Sequence, residues 1–536
     1  MAHTRELPIP GSLLLLDEHA AGAEGEIILH PTPSRDVNDP LNWSPMRKQL
    51  AFAMLVVYTV SAGFGACSLY SVLSPLSEEK GIPLSTLNAG TGYMFLLLGW
   101  GGIITQPLAQ TFGKRPMYLA SQLGHLGCII WMVYINTEGQ WLANKVLQGL
   151  FTAPIEMLIE VSIADMFFAH ERGFYMGLYA TALYGGNFLA PVWAGFANDG
   201  LGWKWVFWLS AIQLGVGTII LFLFQEETNY NRGTTELGEQ HGTPRSRSDS
   251  EAEAGDDEKY GRGDKIDRTV SVPATRPPLE GTPYSFTYKL RLYRETYTTL
   301  STLVAQAYRP ILLWRYPVAV WSGFLYGSSL VWYNVFNATA SLVLTQNYHF
   351  SPSMVGLSYL GPTIGACVAA VWSGWAADKF LLWDARRKGG VREPEDRLWL
   401  LALNAILLPA GLILWGVGAA NHIHWFGLVF GGGLVAFTSA SAGAFAINYV
   451  LDSYKDLGGE VILSIILIRN SLSFAIGYGI TPWLNMGLQN TFITAAMVGM
   501  VIYGSFVVVI KFGKTWRKAS RESYWRYVES SVMPSH

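Results

Sequence analysis

The chain has 536 residues, of which 50% are hydrophobic and only 14% charged, and it carries 20 tryptophans. With a positive mean hydropathy, this composition excludes an ordinary soluble domain and defines an integral membrane protein. The formal net charge of −2 excludes little, because in such a chain the information lies in where Lys and Arg fall.

The first 48 residues are polar and mixed, and the run Leu13–Leu16 is too short for a signal core. No cleavable leader is visible, so the N-terminus is expected in the cytoplasm. Twelve apolar windows follow, at roughly 49–73, 86–110, 116–136, 141–165, 174–197, 203–225, 311–337, 353–377, 398–419, 424–450, 460–484 and 490–511, each near the ~20 residues that a bilayer span needs. An internal N-terminus places Arg47, Lys48, Lys114, Arg115, Arg172, Arg386, Arg387, Lys388, Arg392, Arg397 and the basic C-terminal tail on the cytoplasmic side. The outer loops keep little beyond Lys80 and Lys204, which is the positive-inside bias. Cys67, Cys128 and Cys367 fall in separate windows and read as buried free thiols.

Windows six and seven are separated by residues 226–308, which open with "EETNYNRGTTELGEQHG" and hold no apolar period. The segment reads as a disordered cytoplasmic tether. Its serines and acids leave phosphorylation open beside a plain linker role. The organisation expected is therefore a cytoplasmic segment 1–48, a bundle 49–225, the tether 226–308, a second bundle 309–511 and a cytoplasmic tail 512–536.

Several polar residues interrupt the windows. In "LFTAPIEMLIEVSIADM", residues 150–166, Glu156 and Glu160 share one helical face. A charged side chain at a helix centre costs about 2.5–3.5 kcal/mol, so both must face inward. Such a pair can hold a proton until a cation arrives or the site opens to water; the structural alternative is a carboxyl hydrogen-bonded within its bundle or, for Glu160, paired with a basic residue. Lys145 lies nearer the outer end of window four, where snorkelling to the interface is the simpler reading. Asn187 and Asn404 are amide candidates that also suit a helix-to-helix hydrogen bond. Window seven, "RYPVAVWSGFLYGSSLVWYNVFNATASLVL", bends easily at Gly323 and Gly327. It offers Tyr326, Trp332, Tyr333 and Asn334 to a permissive pocket for flat or cationic molecules, although core packing or an aromatic belt uses the same residues. Asn337-Ala-Thr339 is a glycosylation sequon too near the membrane for modification. Arg469 and Asn470 lie about ten residues into window eleven. There Arg469 could answer an acid across a cavity, bind an anion, or pin the helix to a carbonyl.

The loops identify a family. "QPLAQTFGKRP" follows window two and "GWAADKF" follows window eight. Both resemble the loop signature of the major facilitator superfamily; the first keeps Gly113, Lys114 and Arg115 but has Gln110 where the family carries Asp, and the second keeps Gly374, Asp378 and Lys379. "LANKVLQGL" resembles the fourth-span motif, which implies a proton-coupling role for Lys145. "GNFLAPVWAG" is similar to the fifth-span antiporter motif through Gly186, Pro191 and Gly195, with alanines at Ala190 and Ala194. Together with "PGSLLLLDEH", "DVNDPLNWSPMRK" and "QEETNYNR", the chain resembles fungal twelve-span drug:proton antiporters near the yeast histidinol and polyamine transporter. The resemblance implies an all-α membrane protein, with twelve transmembrane helices in two six-helix bundles (the major facilitator fold) and a site between the halves. It also implies a gate in which Gly113, Lys114, Arg115, Gly374, Asp378 and Lys379 work with Asp165, Glu171 and Arg172 of "ADMFFAHERG". The missing loop carboxylate at Gln110 weakens one lock.

No Gly-rich phosphate loop, no Cys/His cluster at metal spacing and no nucleophile motif appears, so neither cofactor nor metal nor enzymatic activity is expected. The expectation is a monomeric, proton-coupled secondary transporter of small organic molecules in the plasma membrane, with protons, substrate and lipid as its partners and no nucleic acid. Efflux of a drug, toxicant or fungal secondary metabolite leads; uptake of polyamines, transport of an organic acid, and a non-transporting nutrient sensor remain open.

Overall fold

The computed structural model describes residues 36–230, 300–388 and 391–532, with short pieces within 9–14, at 34, and within 282–292. Among the described residues, eight helices are long and apolar enough to cross a membrane: Pro45–Ser71, Glu138–Met166, Trp203–Phe224, Pro352–Asp384, Pro394–Ala420, Trp425–Ser453, Gly458–Leu484 and Leu488–Val528. A ninth is the pair Leu84–Trp100 and Gly102–Phe112, bent by 40° where Gly101 interrupts the ladder. The three remaining windows are the helices Lys114–Val133, Ala169–Leu201 and Pro317–Tyr348. In Lys114–Val133 and Pro317–Tyr348 the hydropathy is lowered by polar residues buried in the protein interior, such as Gln122, His125, Asn334 and Asn337. In chain order these twelve are spans one to twelve. Helices satisfy every backbone group internally, which is what a hydrocarbon environment demands.

The described N-terminal pieces, residues 284–292, the C-terminal helix and most of the basic residues gather at one end, here the basic end; the opposite end, which holds Lys80 and Lys204, is the far end. Two seams join the halves. Span two packs on span eleven, where a Cβ on Gly477 would sit 2.7 Å from the Gly92 Cα. Span five packs on span eight, where a Cβ on Gly195 would lie 2.3 Å from the Pro352 carbonyl oxygen and one on Gly356 would lie 2.6 Å from that of Pro191. Within "GNFLAPVWAG", Gly195 thus serves an inter-bundle contact, whereas Gly186 faces Val60 of span one inside the first bundle, where an added Cβ would lie 3.6 Å from the Val60 Cα, and Ala190 and Ala194 are fully buried. Span five stays a single helix through Pro191. Ser74 and Ser341 hydroxyls 3.0 Å apart and the Ser353 N–H on Asp199 at 3.0 Å complete a closed far end.

The basic end differs from the expected disordered tether in three places. Glu227 is buried and accepts the N–H groups of Lys114 and Arg115, each at 3.0 Å. It caps span three at the point where Gly113, with φ +104, turns the chain. Arg115 donates to the carbonyls of Lys289 and Arg291 at 2.9 and 3.0 Å, which docks the 284–292 segment on the first bundle. Residues Leu300–Leu312 are a helix, tied to span eleven by Arg309 and Glu460 at 3.5 Å. The second bundle's described helix therefore starts before residue 309, and residues 231–281 and 293–299 lie outside the described residues. The C-terminal tail is also structured: it continues span twelve as helix to Val532, and Arg517 is buried between Glu393 and Glu395. It also donates to the Pro10 carbonyl at 2.6 Å. Leu13–Leu14 pairs antiparallel with Val391–Arg392, so the N-terminal piece touches the second bundle.

Candidate functional site

A cavity of about 100 Å³ lies between the bundles near mid-span, walled by Glu156, Tyr184 and Asn187 from the first half and by Tyr326, Tyr333 and Arg469 from the second. A larger volume, about 760 Å³, is an almost wholly apolar groove between spans eight and ten, including Ile364, Val368, Phe426 and Phe430. Exposed apolar side chains of this kind face lipid in a spanning bundle, so that groove is the membrane face and not the site.

Across the cavity Arg469 closes an ion pair with Glu156. Arg469 also donates to the Tyr326 hydroxyl at 2.5 Å, and its guanidinium stacks 4.6 Å from that ring's centroid. Asn470 donates to the second Glu156 oxygen at 3.2 Å. Asn470 reaches it because span two has glycine opposite: a Cβ on Gly99 would meet the Asn470 side chain at 2.6 Å. Of the readings open for Arg469, an acid across the cavity is the one observed. The Glu156 side chain is 11% exposed and that of Arg469 6%, so each would be an uncompensated buried charge without the other.

Glu160 is not in this contact set. It lies about 6 Å further along the helix axis toward the basic end, part-exposed and with no hydrogen bond or ion pair among the described residues. Lys145 is not in the cavity either, and it does not snorkel. It is fully buried inside the first bundle, where its Nζ donates to Gln148 at 2.8 Å and lies 4.7 Å from the Trp141 ring. Asn334 donates to Ser473, and Trp332 packs against Gly499 in the core of the second bundle; neither is among the cavity walls. Asn187 and Tyr333 do line the cavity: the Cys67 thiol donates to Asn187 at 3.4 Å and lies 3.9 Å from the Tyr333 hydroxyl. Tyr184 escaped notice in the sequence, although its spacing of three from Asn187 places both on one helical face. Asn404 bonds Thr438 and Ser441 across spans nine and ten. Asn337 is 1% exposed, which excludes a glycan in the folded state. Cys367 is exposed rather than buried.

At the basic end Lys114 pairs with Asp165, and Arg172 holds the end of span four through the Ala164 and Phe167 carbonyls at 2.7 and 3.0 Å. Glu171 lies part-buried beside it. Gln110 contributes its backbone carbonyl, which accepts from Asn229 at 2.8 Å. In the second bundle Gly374 sits in a π-helical turn, Trp372–Ala376. Lys379 lies 4.0 Å from the Trp375 ring, not on a carboxylate. Asp378 is 70% exposed and 3.9 Å from Arg397, whereas Asp452 is nearer at 3.7 Å.

The sequence model of the Major Facilitator Superfamily matches residues 50–451, and the chain belongs to this family of multi-pass membrane transporters of small molecules. It is 27% identical to an uncharacterized MFS-type transporter of Schizosaccharomyces pombe, over 97% of this chain and 94% of the relative. It is 27% identical to protein HOL1 of Saccharomyces cerevisiae, over 94% and 92%, and 24% identical to the MFS-type transporter atr4 of Stereocaulon alpinum, over 91% and 82%. In fold it is similar to the xylose transporter XylE from E. coli, with a TM-score of 0.55, 12% identity and coverage of 87% and 97%. A second solved likeness is the human organic anion transporter MFSD10, with a TM-score of 0.53, 14% identity and coverage of 87% and 100%.

Proposed function

We propose that the protein exchanges protons for a small organic cation, with the basic end in the cytoplasm of a plasma-membrane carrier. The observation that carries this reading is the charge balance of the central set. Arg469 is neutralised by Glu156, so the fixed positive charge does not recruit an anion, and Glu160, one helical turn toward the basic end and outside the cavity walls, is left as a carboxyl group without a counter-ion. Once Glu160 has shed its proton the set is net negative, and with Tyr184, Tyr326 and Tyr333 in the cavity wall it suits a cationic or amphipathic guest through Coulomb attraction and cation–π contact.

One unpaired carboxylate cannot hold a proton and a cation at once. Competition for it yields exchange, and an inward proton gradient then drives the cation out. Proton symport would need a second acceptor at the same moment, which Glu156 provides only by releasing Arg469. Proteoliposomes loaded with labelled cation test the direction: an inward proton gradient should accelerate release by exchange, whereas symport gives accumulation down the same gradient.

A further inference from the structure

The first bundle holds a second polar cluster that the cavity does not use. His125 on span three is 1% exposed. Its Nε2 lies 3.1 Å from the Gln148 Nε2, and the other end of that amide, Oε1, accepts from Lys145 Nζ at 2.8 Å. Span one makes room for the ring with Gly65, whose added Cβ would lie 2.8 Å from His125 Cε1. His125 Nδ1 and both polar atoms of Gln122, one turn away, are buried without a partner. The ionisable groups facing the cluster are Cys67 from span one, Cys128 from span three and Lys145 from span four. Span six contributes Leu214, and its one charge, Lys204, pairs with Glu79 at the far end.

We infer that Gln148 couples His125 to Lys145 as a one-proton switch. An ammonium only donates, so a charged Lys145 fixes Oε1 toward itself and Nε2 toward the imidazole. The amide N–H then needs a lone pair on His125 Nε2, which confines that ring to the neutral Nδ1–H tautomer. When the proton leaves Lys145 Nζ and His125 Nε2 gains one, the amide turns over. Its N–H now donates to the Lys145 lone pair, and its oxygen accepts from His125 Nε2–H. The amide carries no proton itself; it makes the two protonated forms mutually exclusive, so the pair holds one proton at most. His125 Nδ1 and the Gln122 amide are the cluster's buried polar atoms left without a partner among the described residues.

Nitrogen-15 NMR of the full chain labelled at histidine reads the tautomer directly, with the His125 signal assigned by its loss in His125→Gln or, if that variant misfolds, by its shift in Gln148→Leu. The expected result is a lone Nδ1–H form in the wild type and the appearance of the Nε2–H form in Lys145→Met. An Nε2–H form in the wild type, or a tautomer indifferent to Lys145→Met, overturns the inference. The link to transport rests on the proton-exchange reading. In proteoliposomes His125→Gln should move the pH profile of cation-driven proton flux, and an unmoved profile would reduce the cluster to packing. Absent wild-type flux would sink the exchange reading while the tautomer result still decided the switch.

Discussion

Arg469 of span eleven and Glu156 of span four, 313 residues apart in sequence, meet in an ion pair across the seam between the two bundles. The pair ties the halves together beside the cavity, so its formation and loss bear on both stability and alternating access.

Removing one partner leaves the other charge buried, a loss on the order of 3–5 kcal/mol. Glu156→Gln and Arg469→Gln should each lower the thermal midpoint in detergent strongly, and the double variant should recover most of it. A double variant as unstable as the sum of the two would show that the pair is not coupled.

The far-end seam is set by glycine. In Gly195→Val the new side chain meets the Pro352 carbonyl, with Cβ at 2.3 Å, and backbone cannot yield as a flexible side chain does. A cysteine at Ser74, in a background without native thiols, should react faster with a hydrophilic maleimide in this variant. Unchanged labelling with unchanged transport would place the seam outside the transport cycle.

Glu227 satisfies two N–H groups at the start of span three. Glu227→Ala leaves buried donors unmet at about 1–3 kcal/mol, and Glu227→Gln, which keeps one acceptor oxygen, should cost less. Equal midpoints for wild type and Glu227→Ala would contradict the capping role.

Glu226 gives a pH signature. Burial raises its carboxyl, but the bonds from Arg47 and Lys289 outweigh that and hold it below the usual carboxylate range. Its stabilisation is therefore complete above the ordinary carboxylate range and is lost as pH falls through the lowered value. The wild-type thermal midpoint should fall more on acidification than that of Glu226→Gln, by a modest amount because the pairs are part-exposed. Parallel curves would remove Glu226 from the account.

Much of the fold was legible because each span is an apolar run of bilayer length, and the inward-facing acids and Arg469 stood out against it. What could not be read was partnering between bundles. Nothing local to Glu156 names Arg469, and nothing local to Glu227 names the first amides of span three. Lys145 misled because its place near a helix end suggested water; packing by Trp141 and Gln148 put it in the core instead. The 284–292 segment looked like linker because it has no apolar period. It is held by its backbone carbonyls on Arg115 and by Lys289 on Glu226, contacts that no local sequence pattern announces.

The central claim is that Glu160 is where proton and cation compete. Proteoliposomes with an internal pH dye, challenged with a polyamine, a bulky lipophilic cation and a dicarboxylic acid, test it for wild type and Glu160→Gln. The account predicts a pH change driven by one of the cations and abolished in the variant, while the variant's thermal midpoint stays near that of the wild type. A response to the dicarboxylic acid alone, or one that survives Glu160→Gln undiminished, would contradict it.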